Sequence, residues 1–166
     1  MKNLTSKLCL LALCVLSFTS CSKENIDENS SSDLVAVTPP VDYSPIEIEI
    51  MDRINNYRAE KGLSELDFID EISWQAEDHN FYMIRKGEVC HDNFASRYSN
   101  LVDAVDAKAV SENVAFGYNS AEAVVKAWIN SDGHRENIEG ELTHFGISVK
   151  EDASGKLYFT NIFVRK

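Results

Sequence analysis

From Ile46 onward, apolar positions recur at the three- and four-residue spacing of a helix packed on one side. Ile46, Ile50, Ile54 and Tyr57 share a face, with Met51 and Arg58 beside it. The punctuation agrees. Ser44 suits the N-cap, Pro45 the first helical position, Glu47 completes a capping box, and Lys61-Gly62 supplies a left-handed stop. A second helix is predicted from Asp70 to Lys86, burying Ile72, Ala76 and Met83, with Gly87 ending it. A third, shorter helix is expected around Ser99 to Val105. A fourth runs from about Ser120 to Ser131, with Ala121, Val124, Val125 and Trp128 inward. The period then changes. His144 to Lys150 and Leu157 to Arg165 are β-rich and flank Asp152-Ala153-Ser154-Gly155, which predicts a hairpin, and Val110 to Phe116 is a candidate further strand. Helices first, with strands gathered late, imply an α+β fold with an antiparallel sheet.

Upstream of Ser44 the pattern is of another kind. Lys2 and Lys7 precede an unbroken apolar run from Leu8 to Leu16, and Ser17 to Ser20 are mostly small, the order of a secretory signal. A spanning helix needs about 20 apolar residues, so this run is too short to be one. Phe18-Thr19-Ser20-Cys21 resembles a bacterial lipobox, with Phe18 in place of the usual Leu. That resemblance implies that Cys21 is lipidated and becomes the mature N-terminus; ordinary signal cleavage is the alternative. Residues 1–20 are thus read as a signal peptide and residues 21–43 as a flexible tether. The tether is polar and acidic, with Ser-Ser-Ser-Asp at 30–33 and Pro39-Pro40, and holds too few large apolar residues for a core. Its Lys-Glu-Asn-Ile-Asp-Glu stretch is either a surface-export signal or a solubilising segment. The domain is assigned to residues 44–166.

Processing changes both the cysteine count and the charge. Cys9 and Cys14 leave with the signal and Cys21 carries lipid, so Cys90 alone remains and no internal disulfide can form. About 120 residues suffice for a core without such staples. The 16 basic and 27 acidic residues of the chain become 14 and 27 without Lys2 and Lys7, a net charge of −13. Such a surface repels polyanions, which excludes nucleic acid as a partner. The expected partners are the membrane, through the lipid, and an unidentified small-molecule or envelope ligand, with the domain itself monomeric.

No His-Glu-x-x-His, Gly-x-Ser-x-Gly, Walker loop or Cys-x-x-Cys is present, so any chemistry must come from residues gathered by folding. An ordered series of blocks points to where. Asn55-Asn56-Tyr57-Arg58-Ala59-Glu60-Lys61-Gly62 follows the first helix. Next come His91-Asp92 with Arg97, and then Ser111-Glu112-Asn113-Val114-Ala115. Trp128-Ile129-Asn130-Ser131-Asp132-Gly133-His134-Arg135-Glu136-Asn137-Ile138 precedes the closing His144-Phe145-Gly146-Ile147-Ser148-Val149. Over about 115 residues this series resembles the CAP superfamily, which holds the cysteine-rich secretory, antigen 5 and pathogenesis-related proteins, in its short bacterial form. The resemblance implies a three-layer α-β-α sandwich.

It also implies a cleft lined by two His and two Glu. His91 matches the first His, Glu112 the first Glu and His134 the second His, while Ser131 stands where the second Glu is usual. His91 and His134 are therefore candidate ligands for Zn²⁺ or another divalent ion, with Glu112 either a third ligand or a buried acceptor of backbone hydrogen bonds. The missing carboxylate weakens the metal reading and weakens two-carboxylate hydrolysis more. Asn113 is expected to hydrogen-bond its own segment. His79 and His144 are expected to be surface or hydrogen-bonded core residues, Trp74 and Trp128 structural aromatics, and Cys90 a buried, inert thiol in a strand. The functional expectation is an exported, membrane-anchored lipoprotein, of the outer membrane and in one version of the cell surface, which binds a lipid-like ligand or divalent metal in this cleft without established catalysis. The alternatives are a metal-dependent hydrolase of protein or envelope glycan, and an adhesion or host-interaction module.

Overall fold

A computed structural model describes residues 40–166 of the chain. The expected signal, the expected lipidation site Cys21 and most of the expected tether lie outside the described residues. Helix α1 spans Pro45–Glu60. Its start is pinned from two directions by one buried side chain. Glu47 Oε2 accepts the Ser44 N–H (2.8 Å) and hydroxyl (2.6 Å), and its Oε1 accepts the Val149 N–H (2.7 Å) from strand β3, His144–Glu151. The predicted cap thus also ties helix to sheet. At the other end Arg58 is buried and donates to the carbonyls of Ser64, Ile138 and Gly140, satisfying backbone acceptors that water cannot reach.

Helix α2 covers Asp70–Lys86 and stops, as predicted, at Gly87, whose φ of 71° is left-handed. Helix α3 runs Phe94–Val105, five residues longer at its start than the sequence suggests. The extension begins after Asn93 at φ 60°, a left-handed conformation asparagine tolerates, where apolar spacing gives no signal. Helix α4, Ala121–Asn130, is capped by Ser120, whose hydroxyl accepts the Ala123 N–H. The chain then turns at Ser131 into a fifth helix, α5, Asp132–Glu139, which the sequence pattern does not predict. Of its residues only Ile138 is buried, so it shows little of the apolar periodicity that marks the others.

Strand β2 (Ala109–Phe116) and strand β4 (Leu157–Arg165) pair antiparallel, as do β3 and β4. A two-residue strand β1, Asp67–Phe68, adds parallel to β3, so the sheet is not purely antiparallel as expected. The order is β1-β3-β4-β2. Central β4 is covered on both faces, which explains its near-continuous burial. On one face Phe159 and Phe163 join Phe145, Ile147, Ile50, Ile54 and Trp128 under α1, α4 and α5. On the other, Ile162 and Val164 pack with Ile72, Ala76 and Leu101 of α2 and α3. This is an α-β-α sandwich.

The domain begins earlier than Ser44. Val41 N–H and the Tyr43 hydroxyl donate to the Asp70 carboxylate (3.1 and 3.0 Å), and the Tyr43 hydroxyl lies 2.8 Å from Ser73 Oγ. Burial, with Asp70 alongside, pushes the Tyr43 phenol up to about 12. The expected tether is therefore too long at its C-terminal end: Val41 and Tyr43, polar neighbours notwithstanding, are held by α2.

Gly146 lets α2 lie directly on β3. A Cβ there would sit 2.4 Å from Ser73 N and 2.7 Å from Ile72 C, both backbone atoms that cannot move aside. Gly146→Ala should therefore destabilise the domain by about 3 kcal/mol, the upper end for overpacking. Urea unfolding measures it, and a change under about 1 kcal/mol would show that α2 does not seat this closely.

Candidate functional site

Sheet pleating sends Glu112 and Val114 toward the α2–α3 layer, and Ser111, Asn113 and Ala115 toward α4 and α5. Strand β2 is an edge of the described sheet, and the site is built along that edge from both layers.

On the first side, the Glu112 side chain is 1% exposed. A buried carboxylate requires charge compensation. Arg97 of α3 provides it as a fork, Nε to Oε2 at 2.8 Å and Nη2 to Oε1 at 2.8 Å, while His91 Nδ1 lies 2.7 Å from Oε1. Burial pushes the Glu112 carboxyl up, but His91 and Arg97 together outweigh it and hold the group below the usual carboxylate range. His91 is carried by the α2–α3 loop and its side chain is 53% exposed. The loop is fastened through Asp92, whose carboxylate accepts from Tyr82 and Lys86 (2.8 Å each) and whose carbonyl accepts from Arg97 Nη1 (2.7 Å).

His79 belongs to this cluster, which its sequence context does not suggest. Its Nε2 donates to the Cys90 carbonyl (2.7 Å) and lies 3.8 Å from Glu112 Oε1. Since a carbonyl can only accept, the proton sits on Nε2. Nδ1 is then a buried lone pair with no hydrogen-bond partner. Burial holds the imidazole below its ordinary value, against the pull of Glu112. Cys90 itself lies in the loop, half-buried, and not in the strand expected for it.

On the second side stand α4 and α5. Ser131 stands at the N-cap position of α5 and its Oγ lies 2.8 Å from His134 Nδ1, three residues on, where a capping box would have glutamate. Burial and nearby His91 lower the His134 imidazole. Asn113 does not bond its own segment, as expected of it, but donates to the His134 carbonyl (3.0 Å) and accepts from Asn137 Nδ2 (2.8 Å). Asn137 Nδ2 also reaches Glu112 O (3.2 Å), and Trp128 Nε1 donates to Val114 O (3.2 Å). Trp74 lies elsewhere, beside Val41. His144 is half-buried at the start of β3 with Nδ1 2.7 Å from Thr143 Oγ1, outside the site.

Two hollows open along this strand. One of about 310 Å³ is lined by His91, Phe94, Val110, Ser111, Glu112 and Asn137. The other, about 350 Å³ and more apolar, includes Val89, Val114, Phe116, Trp128, Ser131 and His134. Residues 51–164 match the Cysteine-rich secretory protein family, abbreviated CAP. The chain belongs to this family. Two Bacillus subtilis proteins are each 29% identical to it: YkwD over 80% of this chain and the membrane protein YlbC over 72%. The chain spans 56% and 34% of their respective lengths. Among solved structures it is similar to an outer surface protein of Borrelia burgdorferi (TM-score 0.67, 18% identity, 77% of this chain and 98% of that one). It is also similar to a cysteine-rich secretory protein of Staphylococcus aureus (TM-score 0.65, 24% identity, 78% and 41%). These likenesses show a shared fold.

The residues present do not fit a divalent ion. Both Glu112 oxygens are engaged by Arg97, a metal at the carboxylate would sit against a guanidinium, and with Nδ1 of His91 and His134 each hydrogen-bonded only their Nε2 atoms remain as donors. Among the described residues no group of three or more His, Cys, Asp and Glu is arranged to hold one. The family pattern includes Arg97 but gives it no role. The available signal is the demand of a buried glutamate for a fixed cation.

Arg97→Met should cost about 3–5 kcal/mol, because it leaves the Glu112 charge buried beside imidazoles alone. Adding Glu112→Leu should recover most of that loss. Urea unfolding of both variants measures this, and a single variant within about 1 kcal/mol of wild type would show that the pair does not carry this energy.

Proposed function

We propose that this chain is an exported envelope lipoprotein whose CAP domain binds a ligand in the cleft along the free edge of β2, without metal. The carrying observation is the pair of hollows on one strand edge, with His91 at one and His134 at the other, each imidazole held in place through Nδ1. A fixed shape with few oriented polar groups suits binding. Hydrolysis finds less support. The Glu112 carboxylate is locked against Arg97 and is not free to act as a base.

Export is supported by the signal pattern at residues 1–20 and by the description of one similar structure as an outer surface protein and of another as extracellular. Among the described residues no helix is long and apolar enough to cross a membrane. The anchor is assigned to Cys21, and more than one acyl chain is needed for stable attachment.

Two measurements test this reading. In a lipoprotein-processing bacterial host the full chain should fractionate with membranes and Cys21→Ala should be soluble; equal partitioning would remove the anchor. Native mass spectrometry of the full chain, released from those membranes in detergent, should show a bound species that Ala127→Phe, which fills the 350 Å³ hollow, displaces. The bare polypeptide mass from wild type would remove the ligand.

A further inference from the structure

Hydrogen-bond parity decides which backbone groups of β2 face the cleft. Gly117 N–H donates to Leu157 O (2.9 Å), in the same register as Ala115↔Phe159 and Asn113↔Asn161. Odd-numbered residues of β2 therefore exchange ladder bonds with β4, and even-numbered ones point to the free edge. Asn137 and Trp128 agree with this, since they reach the carbonyls of Glu112 and Val114 from that side. The N–H groups of Glu112 and Val114 leave by the same edge, and no described residue accepts from them. Both residues line the hollows. The edge thus presents two free donors beside two carbonyls already occupied. Glu112 and Val114 are 5% and 7% exposed, and an N–H that lines a hollow without a protein acceptor is met by water or by a ligand with acceptor oxygens.

Spacing narrows the ligand class. Donors two residues apart on a strand are separated by about 6.8 Å. The two oxygens of one carboxylate lie less than two C–O lengths apart, under about 2.5 Å, and cannot serve both donors. The carbonyls of alternate residues in an extended polypeptide repeat at the same interval of about 6.8 Å. We infer that the free edge of β2 binds an extended peptide segment through two alternate backbone carbonyls, with a side chain entering the hollow walled by Val89, Phe116 and Trp128. This rests on the reading of the cleft as a binding site and names what it binds. The carbonyls of Glu112 and Val114 each keep a second lone pair, so the peptide's own N–H groups are not excluded. The acidic chain, at net charge −11, favours a basic peptide over an acidic one.

The test uses the full chain, ¹⁵N-labelled in detergent, and the blocked peptide acetyl-Lys-Val-Ser-Val-Ser-Val-Lys-amide. The amide signals of Glu112 and Val114 should move on titration and their exchange with solvent should slow. Replacing the two edge-facing peptide carbonyls by methylenes should weaken binding by about tenfold or more, while replacing the one between them should not. Val114→Pro deletes one donor without deleting a ladder bond, and should weaken binding comparably. Signals that move only elsewhere, or equal affinity for the methylene analogue, would overturn the proposal even if Val114→Pro fails to fold. Chitotetraose or acetate moving these two amides where the peptide does not would overturn the peptide class and leave the cleft a binding site. A co-purified species displaced by Ala127→Phe, with both amides silent to the peptide, would do the same.

Discussion

A single buried charge governs this molecule's functional edge. Glu112 sits on an edge strand with its carboxylate out of water, where an uncompensated charge would cost several kcal/mol. The Arg97 fork is the compensation, and it dictates much else. Helix α3 must begin early enough to place Arg97 over β2, so it starts at Phe94 after a left-handed Asn93. The same guanidinium takes the Asp92 carbonyl, which fixes the loop carrying His91. His91 then meets Glu112 Oε1 through Nδ1 and stands half in solvent.

The opposite wall is held by neutral groups. Asn113, Asn137 and Trp128 form a chain of amide and indole contacts that ties α4 and α5 to the carbonyls of β2. Their effect is selective. They consume acceptors on the strand edge and leave donors, so the cleft floor is polarised by geometry and not by net charge. An edge with its carbonyls occupied is also a poor template for indiscriminate strand pairing, the usual hazard of such edges.

What the sequence shows depends on whether a residue's role is local. Helices α1 and α2 are legible because capping and apolar spacing are short-range: Ser44 and Gly87 act within one turn of themselves, while the bond from Val149 to Glu47 gives no such signal. The hairpin and its flanking strands are legible from alternation and from Gly155 at φ 81°. Helix α5 is not, since it buries one residue, and neither is the two-residue β1, which exists only through its pairing with β3. In the site, His91, Glu112 and His134 can be found by resemblance to a family pattern. The part played by Arg97 and His79 cannot, because their contacts with Glu112 close sequence separations of 15 and 33 residues through tertiary packing.

The position of Ser131 shows why family positions do not transmit chemistry unchanged. With glutamate there, a second carboxylate would face His134 and could share a cation with it. Serine instead stands at the N-cap position of α5, and its hydroxyl meets His134 Nδ1 within the same turn, so one member of the potential ligand pair is missing. Across the strand, Arg97 already supplies the positive charge that a metal would bring to Glu112. The serine removes an anion from the cleft, and Arg97 fills the remaining anion's need for a cation. What is left facing the cleft is a set of oriented neutral donors and imidazoles, a surface suited to holding an acceptor-rich chain and poorly suited to activating water.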